Sequence, residues 1–79
     1  MPRDVPEDDD WIRARQQEIG QRIQAERVRQ NLIQETVFLA AGLDRRTLQA
    51  IEAGIANPTL ETLLRLTYVL DVSLADLVR

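Results

Sequence analysis

The chain contains no cysteine, no histidine and no lysine. The first two absences remove disulfides, thiol nucleophiles, imidazole bases and the usual zinc ligands together. Only carboxylates and hydroxyls remain for chemistry, and no paired catalytic constellation stands out among them. The sequence therefore argues against an enzyme and calls for no metal or cofactor. No apolar run approaches the roughly 20 residues of a membrane span. The N-terminus is acidic where a secretory signal would be basic. These absences predict a soluble, cytoplasmic protein with no small-molecule ligand evident.

What remains is 79 residues, enough for one domain with one small core. The net charge is −3, and its distribution is uneven. Arg3 stands against Asp4, Glu7, Asp8, Asp9 and Asp10, so residues 11–79 are close to neutral. With two prolines and no periodic apolar pattern, residues 1–9 read as an acidic, disordered or loosely attached tail, and residues 10–79 as the domain. The absence of lysine suggests a GC-rich genome more than a mechanism.

Five helices are expected. Negative charge at Asp8 to Asp10 suits a helix start, because the macrodipole is positive there. Helix 1 is expected from about Asp10 to Gln30, with Ile12, Ile19, Ile23 and Ala25 near one face and Val28 on its margin. Asn31 ends it, since asparagine enters the left-handed region more readily than most residues. Leu32 then seals the core. Helix 2 is expected over Gln34–Ala41, and Ile33 before it offers no capping oxygen, so its start should fray or shift. Gly42 terminates it, and Asp44 caps helix 3 over Arg45–Ala53, which Gly54 closes. Proline at position 58 keeps Asn57 out of the helical region. Thr59 caps helix 4, with Leu60, Leu63, Leu64, Leu66, Val69 and Leu70 as a broad apolar stripe. Asp71 breaks it. Ser73 and Asp76 form a capping-box start for a last short helix carrying Leu74, Leu77 and Val78.

The stretch Gln34 to Gly54 is the informative one. Two short helices joined by three or four residues make a helix-turn-helix, whose second helix can enter a DNA major groove. Around it lie Ile19-Gly20 and Ile23, Gln34-Glu35, Gly42-Leu43, Ile51-Glu52 with Gly54, Asn57 to Leu63, and Leu70 to Leu74. In this order and spacing, residues 19–78 resemble the Xre/Cro-type, phage-repressor-like helix-turn-helix family. The resemblance implies an all-α, five-helix lambda-repressor-like domain, here with an extended first helix. It implies a sequence-specific DNA-binding transcriptional regulator, a homodimer reading a palindromic operator in double-stranded DNA, nucleoid-associated when bound.

Residue by residue, the family positions that touch bases fall on Arg45, Arg46 and Ala50. Arginine matches guanine O6 and N7, Gln49 suits adenine, and Ala50 can offer only a methyl contact. Gln34 matches a residue that meets phosphate at the start of helix 2, and Thr47 and Asn57 are further phosphate candidates. Arg27 and Glu52 match a pair that joins helix 1 to helix 3 by a salt bridge.

Several residues depart from the pattern. Phe38 stands where the family usually has alanine, so either its ring turns into the core or helices 2 and 3 open. Leu39 lies where the family tends to be polar, and Ile55-Ala56 where many relatives are basic. Trp11 and Ile12 precede the family pattern by two turns and either fold back over the core edge or pack on a second subunit. From Gln34 to Leu60 the only cations are Arg45 and Arg46, against Glu35, Asp44 and Glu52. That thin positive charge keeps a second function class open, a protein-interaction module with Trp11, Ile12, Phe38 and Leu39 as contact residues.

Overall fold

The computed structural model describes residues 1–79 and contains five helices: α1 (Asp10–Arg29), α2 (Gln34–Ala41), α3 (Arg45–Glu52), α4 (Leu60–Leu70) and α5 (Leu74–Val78). Residues 1–9 carry no regular secondary structure. No helix is long and apolar enough to cross a membrane.

The caps explain where each helix stops. Gly42 takes φ 72° after α2, a conformation that costs a Cβ-bearing residue energy, and Leu43 N–H returns to the Phe38 carbonyl at 2.8 Å. Asn31 and Asp71 do the same for α1 and α4 at φ 58° and 55°, with short polar side chains tolerated in that region. Thr59 accepts the Thr62 amide, and Ser73 with Asp76 closes a full capping box. Ile33 supplies no cap, yet α2 begins at Gln34 without a shift. Its register is held instead by Val37 and Phe38 in the core.

The core is Ile23 from α1, Val37, Phe38 and Ala41 from α2, Leu48 and Ile51 from α3, Leu66 and Leu70 from α4, and Leu77 from α5. Each helix therefore contributes its inward row to one cluster, with Ile19, Leu32, Leu43 and Leu63 packed around it. Two apolar assignments change here. Ala25 and Val28 face solvent, because α1 turns only the row through Ile19 and Ile23 inward. Leu60 and Leu64 are exposed as well, since the α4 stripe is wider than the surface α2 and α5 can cover.

α1 crosses α3 so closely that one residue has no room for a side chain. A Cβ built on Gly20 would lie 2.2 Å from the Ile51 carbonyl oxygen and 3.1 Å from that of Glu52. Both obstacles are backbone, so the helices themselves would have to part. Gly20→Ala is expected to lower stability by about 1–3 kcal/mol, measured by urea denaturation; unchanged stability would contradict this contact.

The C-terminal end of the chain is tied down by arginines of α1. Arg15 donates to the Val78 carbonyl, and Arg22 to the carbonyls of Leu77 and Arg79. These oxygens lie at the negative end of α5, where cations are favoured. At the other end of α1, Gln30 Nε2 donates to the Leu70 carbonyl at 2.7 Å and to Glu26 Oε1 at 3.0 Å. Hydrogen bonds from Arg29, then from Gln30, pull the Glu26 carboxyl down from 4.5 to about 2.

A carboxyl lowered on folding stabilises the fold above its unfolded value, and that contribution fades as pH falls through the folded value. The Glu26 contribution should therefore be intact near neutrality and disappear between pH 4.5 and about 2. Melting followed by circular dichroism across that range should show a smaller acid loss for Glu26→Gln than for wild type. Identical acid sensitivity would contradict the assignment.

Candidate functional site

The exposed side of the α2-turn-α3 unit is built by three devices. The turn is Gly42, Leu43 and Asp44, of which Leu43 is half-buried against the core. Asp44 then accepts the Thr47 amide at 2.7 Å and fixes the first turn of α3. Hydrogen bonding from the Thr47 side chain, then this amide bond, with a smaller contribution from Arg46, holds the Asp44 carboxyl below its usual range. Leu48, Ile51 and Glu52 are buried, which turns Arg45, Arg46 and Gln49 to solvent, with Ala50 and Thr47 half-buried.

Behind this surface lies the one nearly buried ion pair of the chain. Arg27 Nε donates to Glu52 Oε2 at 2.8 Å and Arg27 Nη2 to Glu52 Oε1 at 2.9 Å. The two side chains are 11% and 3% exposed. Arg27 Nη1 also donates to the Leu32 carbonyl at 2.8 Å. The bidentate bond to Glu52 raises the Arg27 pKa despite its burial. No buried side-chain polar atom lacks a partner.

The network continues to the surface. Gln34 Nε2 donates to Glu52 Oε1 at 3.2 Å, and Gln49 Nε2 donates to Gln34 Oε1 at 3.4 Å. α1, the first residue of α2 and the exposed side of α3 thus share one hydrogen-bonded chain. The structure brings together Arg27, Gln34, Gln49 and Glu52, with Arg45, Arg46, Thr47 and Ala50 on the same helix as Gln49. Asn57 stands apart from this chain. It lies in the loop after α3, beside a crevice lined by Gln16, Gly20, Ile51 and Pro58.

Phe38 requires a correction. Proposed above as a contact residue for a partner, it is buried in the core, so its ring takes the inward course and is closed to docking. Its outer side is covered by Arg45, whose guanidinium carbon lies 5.3 Å from the ring centroid. Arg45 Nη2 also meets Glu35 Oε2 at 3.2 Å. The larger residue at position 38 therefore supports an arginine of α3. Arg46 forms no ion pair and is the freer of the two cations.

Trp11, Ile12 and Leu39 are exposed. Trp11 and Ile12 do not join the core. Arg3, Asp4, Val5 and Pro6 of the tail line a shallow cavity with Trp11.

A helix-turn-helix family profile matches residues 23–77. The chain belongs to the Xre/Cro-type helix-turn-helix family. Among solved structures, the restriction-modification controller protein C.AhdI from Aeromonas hydrophila is similar, with 34% identity and a TM-score of 0.78. The likeness covers 81% of this chain and 97% of that one. No curated protein sequence matches the chain. Membership makes this Xre/Cro-type chain a DNA-binding transcriptional regulator with DNA as its partner.

Sequence reasoning missed three features of this family member. The first is the role of Gly20, which is visible only once α3 is placed against α1. The second is Arg15 and Arg22, whose partners lie more than fifty positions away along the chain. The third is the outward row of α4. Its leucines carried the only available signal, being too many for one buried stripe.

Proposed function

We propose that the chain acts as a homodimer on a palindromic operator, each copy placing α3 in the major groove of one half-site. The observation that carries this reading is the hydrogen-bonded chain Arg27–Glu52–Gln34–Gln49, which holds the exposed side of α3 against α1 and α2. A recognition helix must be fixed in this way, because a loosely held one would lose base contacts to its own disorder.

In this proposal Arg45 and Arg46 donate to guanine edges, Gln49 to adenine, and Ala50 offers a methyl contact. Gln34, Thr47 and Asn57 contact phosphates on either side. The uncapped start of α2 then has a use. Ile33 leaves the first amides of the helix without a side-chain partner, and a phosphate oxygen satisfies such amides at the positive end of a helix. The tail of residues 1–9 stays outside the interface, since its acidic residues repel the DNA backbone. The likeness to C.AhdI supports a controller-type role in gene regulation, and the chain is proposed to work in the cytoplasm on the nucleoid.

The electrostatics favour two copies over one. Arg45 is partly neutralised by Glu35, and Arg46 lies beside Asp44, so a single copy offers little phosphate attraction. Doubling the contacts on half-sites about one helical turn apart compensates. Selection of bound sequences from random duplex DNA at low salt tests the reading. The expected product is an inverted repeat. Enrichment of nothing, or of a lone half-site, would contradict it.

A further inference from the structure

We propose that a second copy of this chain docks on the outer side of α4, along the row Leu60, Leu64 and Tyr68. The proposal rests on the homodimer reading above and names its surface.

The three residues are 61%, 48% and 89% exposed, although each is large and apolar or aromatic. They are spaced four positions apart, so they stack on successive turns of one helix side. Leu66 and Leu70 of the same helix are fully buried, so α4 meets its own core on one side and presents a second apolar row on another. Scattered exposed apolar residues need no explanation, whereas two leucines and a tyrosine in register on an eleven-residue helix form a strip.

The charges beside the strip argue for a second copy as its occupant. Glu61 and Arg65 lie on one flank, one turn apart, paired within the helix at 3.6 Å and half or more exposed. A two-fold axis that sets two α4 helices antiparallel keeps this flank on the same side in both copies. Passing level with residue 63, close to the centre of the strip, such an axis sets Glu61 of each copy level with Arg65 of the other. The surface is therefore complementary to itself in charge and in apolar pattern, as an isologous interface requires. The rival patch at Trp11 is flanked by the chain's own tail. α4 also follows α3 after a seven-residue loop, so a two-fold at α4 sets the distance between the two α3 helices and hence the half-site spacing.

Sedimentation equilibrium of the full chain over a concentration series tests this. Wild type is expected to dimerise. Tyr68→Glu and Leu64→Arg should each weaken the dimer by at least about tenfold, while circular dichroism retains the helical signal, because both side chains project outward. Charge reversal gives a test in trans. Glu61→Arg and Arg65→Glu should each dimerise poorly alone, and an equimolar mixture of the two should form a heterodimer. The pairing within one helix cannot produce that recovery. A wild-type dimer that none of these substitutions weakens would overturn the proposal. If Trp11→Ala dissociated it instead, the interface would lie on α1 and the homodimer reading would stand. A wild-type chain that stays monomeric at every concentration would overturn both.

Discussion

Glu52→Ala is expected to destabilise the chain by roughly 3–5 kcal/mol, the range seen when one partner of a buried ion pair is removed. The cause is the charge left behind. Arg27 would keep its bond to the Leu32 carbonyl but lose two bonds of 2.8 and 2.9 Å, in a site where water cannot readily replace them. Gln34 would lose its acceptor as well. A domain of this size has a total stability of about 4–12 kcal/mol, so the variant should be near the edge of folding. Glu52→Gln keeps the volume and one acceptor while removing the charge. It should show a smaller loss of the same sign, with its preference among DNA sequences intact, because position 52 faces away from the reading side of α3. Denaturant unfolding and a binding comparison check both statements. A loss below about 1 kcal/mol, typical of surface pairs, would contradict the buried pair. So would full stability with altered sequence preference.

The second large effect is expected at Arg45 and Arg46. A well-formed arginine contact to guanine contributes about 1–3 kcal/mol of discrimination, so removing both should weaken binding to a preferred site by roughly 30-fold or more. Folding should lose no more than about 1 kcal/mol, since both side chains are exposed and Arg45 gives up only its surface contact with Glu35 and its cover over the Phe38 ring. Non-specific binding should weaken too, because Arg45 and Arg46 are the only cations between Gln34 and Leu60, but by less than binding to the preferred site, which also loses its base contacts.

Local chemistry made much of this fold legible. Gly42, Asn31, Asp44, Thr59 and the Ser73–Asp76 box each fix a helix boundary through groups within a few residues, and the end of α2 follows from Gly42. Orientation was less legible. Periodicity marks which α1 and α4 residues are apolar, but whether Val28, Leu60 and Leu64 are covered depends on how much surface the neighbouring helices offer. Phe38 shows the same limit. Its two courses, into the core or prying α2 from α3, differ in the position of Arg45, which only the folded chain supplies. At the site, residue types at the start of α3 identified the exposed side chains that are proposed to read bases. The hydrogen bonds that link Gln34 to Gln49 and Glu52 became visible only when residues 15 to 18 positions apart were brought together.

Reading of DNA sequence by α3 rests on Arg45 and Arg46 in this proposal. Its most direct test is the affinity of wild type and of the Arg45→Ala, Arg46→Ala double variant for the selected duplex and for a scrambled duplex of equal length, at one fixed salt concentration. Wild type is expected to prefer the selected duplex strongly, and this preference should collapse towards parity in the double variant, with scrambled-duplex binding weakened as well but by less. A double variant that keeps the wild-type preference would contradict it.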